Sequence, residues 1–137
     1  MGYRIMKSRD ALVRASSFEL AEKRRKLTDI DGMIAEFRRM ATDLEQQIEA
    51  EHVRTGVRDF GHFAYSSFAK AARKRCDNLL VSVADLESQR EAAAAGIAAA
   101  EEDFRRLQMA GERAADERPA GRRRPSRNRS MGLGPVT

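Results

Sequence analysis

No tryptophan occurs in the 137 residues, cysteine occurs once, and aromatic residues make up only 6% of the chain against 34% charged. These shortages exclude a conventional globular core, because large apolar side chains supply most of the burial that offsets chain entropy in a compact domain. The lone Cys76 rules out an internal disulfide and leaves no thiol pair for a redox or zinc-cluster pattern, which points to a reducing cytoplasm. No stretch approaches the roughly 20 apolar residues that cross a bilayer, and the opening Met1-Gly-Tyr-Arg-Ile-Met-Lys7 has no apolar signal core. Met6 stands where a myristoylation pattern needs Ser or Thr, and Met6 can serve as the start as well as Met1. Proline is confined to Pro119, Pro125 and Pro135. A chain of this kind holds one domain at most and reads as elongated helix followed by a disordered tail.

What is present is a heptad pattern. From Val13, positions spaced alternately by three and four run through Ser16, Leu20, Lys23, Leu27, Ile30, Ile34, Phe37, Ala41, Leu44 and Ile48, with polar or charged residues at nearly every other place. That is a narrow coiled-coil seam rather than a wide core-facing stripe. It predicts helix one over about residues 7–52, with Ser8 or Asp10 as cap and Glu19–Lys23 and Glu22–Lys26 as exposed pairs. Gly56 and Gly61 break the pattern, with Asp59 as a turn or cap residue, which places a connection at about residues 53–65. The series then resumes through Tyr65, Ala69, Ala72, Cys76, Leu79, Val83, Leu86, Arg90, Ala93, Ile97, Ala100, Phe104 and Leu107, predicting helix two over about residues 66–111.

Folded back around a turn centred near Val57, the two series meet in layers. Ile48 would face Tyr65, Leu44 Ala69, Ala41 Ala72, Phe37 Cys76, Ile34 Leu79, Ile30 Val83, Leu27 Leu86, Leu20 Ala93, and Val13 Ala100. Large tends to meet small, and the connection is too short to join parallel neighbours of this length. The expected fold class is therefore all-α, two long helices in an antiparallel coiled-coil hairpin over residues 1–112, monomeric by itself. One layer suits a seam poorly: Lys23 opposite Arg90, whose stems cover apolar surface while the charges reach out to Glu19 and Glu87. The end bearing both termini should be the looser one.

The formal charge of +5 is concentrated at one place: Arg113–Arg129 carries seven arginines against Asp116 and Glu117. With its prolines, glycines and serines, the stretch 113–137 reads as a disordered basic extension.

A two-helix hairpin has no pocket, and no constellation of nucleophile, base and metal ligands stands out, so neither enzymatic chemistry nor a cofactor or small-molecule substrate is expected. His52 and His62 read as solvated residues flanking the turn, with too few companions to hold a metal. Cys76, on the seam, reads as a small core hydrophobe.

Two surface features remain. Phe60, Phe63, Tyr65 and Phe68 cluster beside the turn; some of them would plug the hairpin end, while Phe68 lies beside the seam and would be a docking contact if exposed. The predicted pairing also brings Arg38 and Arg39 level with Lys74 and Arg75, near Lys70 and Arg73, as a basic belt for an acidic partner or a solvated face balanced by Glu36, Asp43 and Asp77. Positive charge in the first turns of helix two opposes the helix dipole.

The stretches Met6-Lys-Ser-Arg-Asp-Ala-Leu-Val-Arg14, Glu22-Lys-Arg-Arg-Lys26, Met33-Ile-Ala-Glu-Phe37 and Arg39-Met-Ala-Thr-Asp-Leu44 lead to Thr55-Gly56 and then to His62-Phe-Ala-Tyr-Ser-Ser-Phe-Ala-Lys-Ala-Ala-Arg-Lys-Arg-Cys-Asp-Asn-Leu79. Over about residues 6–107 the chain resembles FliJ, the helical-hairpin protein of the bacterial flagellar type III export apparatus, in its alphaproteobacterial form. The Tyr65-x-x-Phe68 pair and the Phe68-Ala-Lys-Ala-Ala-Arg73 run are its more specific parts. The resemblance implies a cytoplasmic, nonenzymatic protein of flagellum biogenesis and motility, peripherally associated with the inner membrane at the flagellar base. It implies a stalk-like role in which the end with both termini enters the export ATPase ring, residues nearer the turn contact the membrane export gate, and export chaperones are bound. Tyr65 and Phe68 match the family's Tyr-x-x-Phe, with Phe68 and Ala72 on the gate-contacting face. The arginine-rich tail departs from the family pattern. It supports the alternative of a basic-tailed coiled-coil scaffold or an adaptor drawn to nucleic acid, whose affinity would fall steeply with salt.

Overall fold

The computed structural model describes the backbone of residues 2–136 and the side chains of residues 7–113. Two helices, α1 (Gly2–Thr55) and α2 (Ser67–Val136), account for nearly all of it. Both are rich in Ala, Leu, Arg, Glu and Lys, residues that lose little side-chain freedom in a helix. The helices extend beyond the predicted bounds. α1 begins before Lys7 and passes His52 to Thr55, and α2 continues through Gly111. An isolated glycine costs a helix only about 1 kcal/mol, too little to end one. The predicted disorder of residues 113–137 falls, apart from Arg113, outside the residues with described side chains.

The chain forms two compact units, one of residues 22–97 and one of residues 1–21 with 98–137. The first contains the turn and both apolar clusters. Nearest the turn, Ala41, Leu44 and Ile48 of α1 pack with Ala69, Ala72 and Cys76 of α2, joined by the half-buried Tyr65 and Leu79. Bulky residues thus meet small ones, which lets the two backbones approach closely. Farther from the turn, Ile34 packs with Val83 and Leu86, flanked by Ile30 and Phe37. In the second unit the Arg9 guanidinium donates to the Ala110 carbonyl at 3.3 Å, tying α1 to α2 there as well. Leu20 is buried, while Val13, Phe104 and Leu107 are half-buried.

The seam is the predicted one, but its register differs by about one helical turn. The Cys76 thiol lies against the Ala41 carbonyl at 3.6 Å instead of facing Phe37, which packs with Ile34, Val83 and Leu86. Arg90 does not form a layer with Lys23; it pairs with Asp31, about two turns farther along α1. The cause lies in the turn. α1 runs on to Thr55 and α2 starts at Ser67, so the fold-back point comes later than Val57, and each residue of delay moves the pairing by two.

Candidate docking surface at the turn

α1 stops because Gly56 adopts a φ of 74°, the left-handed conformation that glycine tolerates without a Cβ penalty. Its N–H still donates to the His52 carbonyl at 2.9 Å, closing the last turn, and the Val57 N–H donates to Thr55 Oγ1 at 3.2 Å. Arg58 then reaches back in a bidentate pair to Glu49, at 2.9 and 2.8 Å. That hydrogen bonding and the arginine charge hold the Glu49 carboxyl below its ordinary range.

Asp59 fulfils the turn role expected of it: its Oδ1 accepts the Gly61 N–H at 3.1 Å and its carbonyl accepts the His62 N–H at 3.0 Å. His62 in turn accepts from two amides, the Ala64 N–H at Nδ1 (2.9 Å) and the Tyr65 N–H at its carbonyl (3.0 Å). Ser66 is the N-cap of α2. Its Oγ accepts the Ala69 N–H at 3.1 Å and its own hydroxyl donates to Glu51 Oε2 at 2.7 Å. Glu51 also receives Arg54, and with these two donors its carboxyl is lowered from 4.5 to about 2. One side chain therefore joins the last turns of α1 to the cap of α2.

His52 is not a solvated loop residue. It lies within α1, half-buried, with Nε2 at 2.8 Å from the Tyr65 hydroxyl and the two rings 5.5 Å apart. Tyr65 packs in turn on Phe60, centroids 5.3 Å apart, and the Lys70 ammonium sits 5.3 Å from the centre of the Phe60 ring. These four residues close the end of the seam.

The remaining aromatics face outward. Phe63 is 96% exposed and stacks on His62 at 4.6 Å, while Phe68 is 53% exposed on the first turn of α2. Ala72 is only 4% exposed, packed in the core cluster nearest the turn, so it cannot share an exposed face with Phe68. Its place in the heptad already put it on the seam.

The basic belt does not assemble as predicted. Arg38 pairs with Glu87, more than three turns and about 18 Å along α2 from Arg75, and Arg39 pairs with Glu36 on its own helix. The one-turn register difference moves Arg38 and Arg39 about 6 Å from the predicted level, and the Arg38 side chain extends away from Arg75 toward Glu87. Lys70, Arg73, Lys74 and Arg75 remain as a group on α2, and none of the four has an ion-pair partner among the described residues.

The apolar residues predicted for the seam, Leu20, Leu27, Ile30, Ile34, Phe37, Leu44, Ile48, Cys76, Leu79, Val83, Leu86, Ile97 and Phe104, are buried or half-buried, whereas Arg90 of the same series is exposed. Burial raises the Cys76 thiol pKa, which keeps the group in its neutral, unreactive form. Two surface hollows flank the clusters. One, of about 360 Å³, is bordered by the Arg38–Glu87 and Arg90–Asp31 pairs; the other, of about 510 Å³, lies beside Met33, Phe37, Val81 and Asp85. Neither is lined by His or Cys. Among the described residues, no group of three or more His, Cys, Asp or Glu side chains is placed to hold a metal, and no helix is long and apolar enough to cross a membrane.

No family model, curated protein or solved structure matches the chain.

Proposed function

We propose that this chain is a nonenzymatic coiled-coil component of a bacterial flagellar type III export apparatus, a stalk-like hairpin linking the export ATPase ring to the membrane export gate. In this role it works on the cytoplasmic side of the inner membrane and also handles export chaperones. The observation that carries the proposal is Phe68: it belongs to the Phe-Ala-Lys-Ala-Ala-Arg run on which the FliJ resemblance rests, and it stands half-exposed beside a seam already filled without it. A large aromatic in that position contributes little to the fold and is suited to anchor a partner. In this reading the gate-contacting set is Phe68 with its exposed neighbours, without the buried Ala72, while Arg38 and Arg39 are engaged with Glu87 and Glu36.

The test uses the full chain with the export ATPase and the soluble domain of the export gate encoded in the same genome. The chain should be captured by both and should stimulate ATP hydrolysis. Phe68→Ala should weaken capture by the gate domain roughly tenfold or more with the circular dichroism spectrum unchanged. A fully helical protein that binds neither component at moderate salt would refute the assignment.

A further inference from the structure

The turn end exposes more apolar surface than one anchor on Phe68 uses. Val53 is 68% exposed on the last turn of α1, Phe60 is half-exposed and Phe63 almost wholly so. Phe63 is not left out by slackness in the chain. The residues on either side of it are pinned by the Asp59, His62 and Tyr65 turn bonds, so the ring is held in water by an ordered backbone. Its ring stacks on His62 alone among the described aromatic rings and is otherwise open to solvent.

Charge around these residues is one-sided. Between Val53 and Arg75 the sequence places six cations, Arg54, Arg58, Lys70, Arg73, Lys74 and Arg75, against the single acid Asp59. Asp59 is committed to the Gly61 N–H, and Arg54 and Arg58 are paired with Glu51 and Glu49. The four α2 cations are left. Lys70 lies in the first turn of that helix, which carries no acid and where the positive end of the dipole disfavours it, and Asp77 and Glu45, the carboxylates near Arg73, form no ion pair with that arginine.

Their order along the hairpin matters. Phe60 and Phe63 occupy the connection itself, and Lys70 to Arg75 follow at about 5 to 12 Å along α2 from its first residue. Apolar rings come first and positive charge lies just behind them. An anionic bilayer presents the complementary sequence, with apolar chains beneath a layer of phosphates roughly 5 to 8 Å thick. Lys and Arg stems are long enough to bridge the difference. A groove on a protein would complement the rings but gives no reason for this layering.

We infer that the turn end binds the surface of an anionic lipid bilayer directly, with Phe60 and Phe63 at the boundary between headgroups and acyl chains and Lys70, Arg73, Lys74 and Arg75 on lipid phosphates. This does not depend on the export assignment; it would hold for any hairpin whose turn faces a membrane.

The absence of tryptophan supplies the test. Phe63→Trp in the full chain places the only indole of the protein at the tip, at a position where the fold makes no demand on size. On vesicles of equal parts phosphatidylglycerol and phosphatidylcholine, its emission should shift to shorter wavelength and be quenched by lipids brominated on their chains. Pure phosphatidylcholine should give neither effect. Adding Lys74→Glu with Arg75→Glu should weaken binding about tenfold. Sedimentation with anionic vesicles without any emission change would mean that the arginine-rich C-terminal stretch binds and the tip does not, and would overturn the inference. So would an emission shift produced by the soluble gate domain but not by vesicles.

Discussion

Glu51 joins the two helices at the turn. It accepts from the Ser66 hydroxyl and from Arg54, so it holds the cap of α2 against the end of α1 while its charge is satisfied locally. Its carboxyl is depressed to about 2 in the folded chain from 4.5 otherwise, so between those values the unfolded state binds more protons than the folded one. The stabilisation is therefore fully present above about pH 4.5 and is lost as the pH falls toward 2. Urea unfolding followed across that interval should show a loss of stability in the natural protein that is smaller in Glu51→Gln; equal slopes would remove Glu51 from this role. At this scale the sequence was legible in part. Gly56 and Asp59 announce a turn by their chemistry, and both act there. Ser66 was hidden because a second serine follows it and no acid stands at Ala69 to complete a capping box. The His52–Tyr65 bond could not be read at all, since it joins residues on either side of a turn whose path the sequence leaves open.

At the scale of the helices, the heptad spacing determines which face of each is buried, and the apolar seam residues named from it are buried or half-buried. Register is a different matter. It depends on where the chain reverses, and glycines mark a turn without fixing its centre, so an offset of two residues in the centre became a full helical turn in the pairing. Phe37 was misplaced by that offset, and the basic belt by the offset together with the ion pairs that turn Arg38 to Glu87 and Arg39 to Glu36, so surface constellations drawn across two helices inherit any error in their alignment. The packing gives a clear contrast. Ile48, 2% exposed between Ala41, Leu44 and the small residues of α2, should cost about 2 to 5 kcal/mol when replaced by Ala, whereas exposed Val53→Ala, one turn later, should stay within about 0.5 kcal/mol. Urea midpoints of the two variants decide this; similar values would mean that the cluster nearest the turn does not carry the stability assigned to it.

For the molecule as a whole, a closed seam leaves function to the surface, and at the turn Val53, Phe63 and Phe68 stand exposed outside the packed clusters. Both the proposed partner contact at Phe68 and the lipid contact at Phe60 and Phe63 presuppose that α1 and α2 close on each other within one chain, in the observed register. The native protein has a single cysteine, which makes that closure directly measurable. Because Ala41 and Cys76 are packed together in the cluster nearest the turn and Phe37 belongs to the other cluster, Ala41→Cys should oxidise to an intramolecular disulfide that migrates as a monomer on a non-reducing gel more readily than Phe37→Cys. Disulfide-linked dimers in place of the internal bond, or ready closure from position 37 and none from position 41, would contradict the hairpin on which the functional proposals stand.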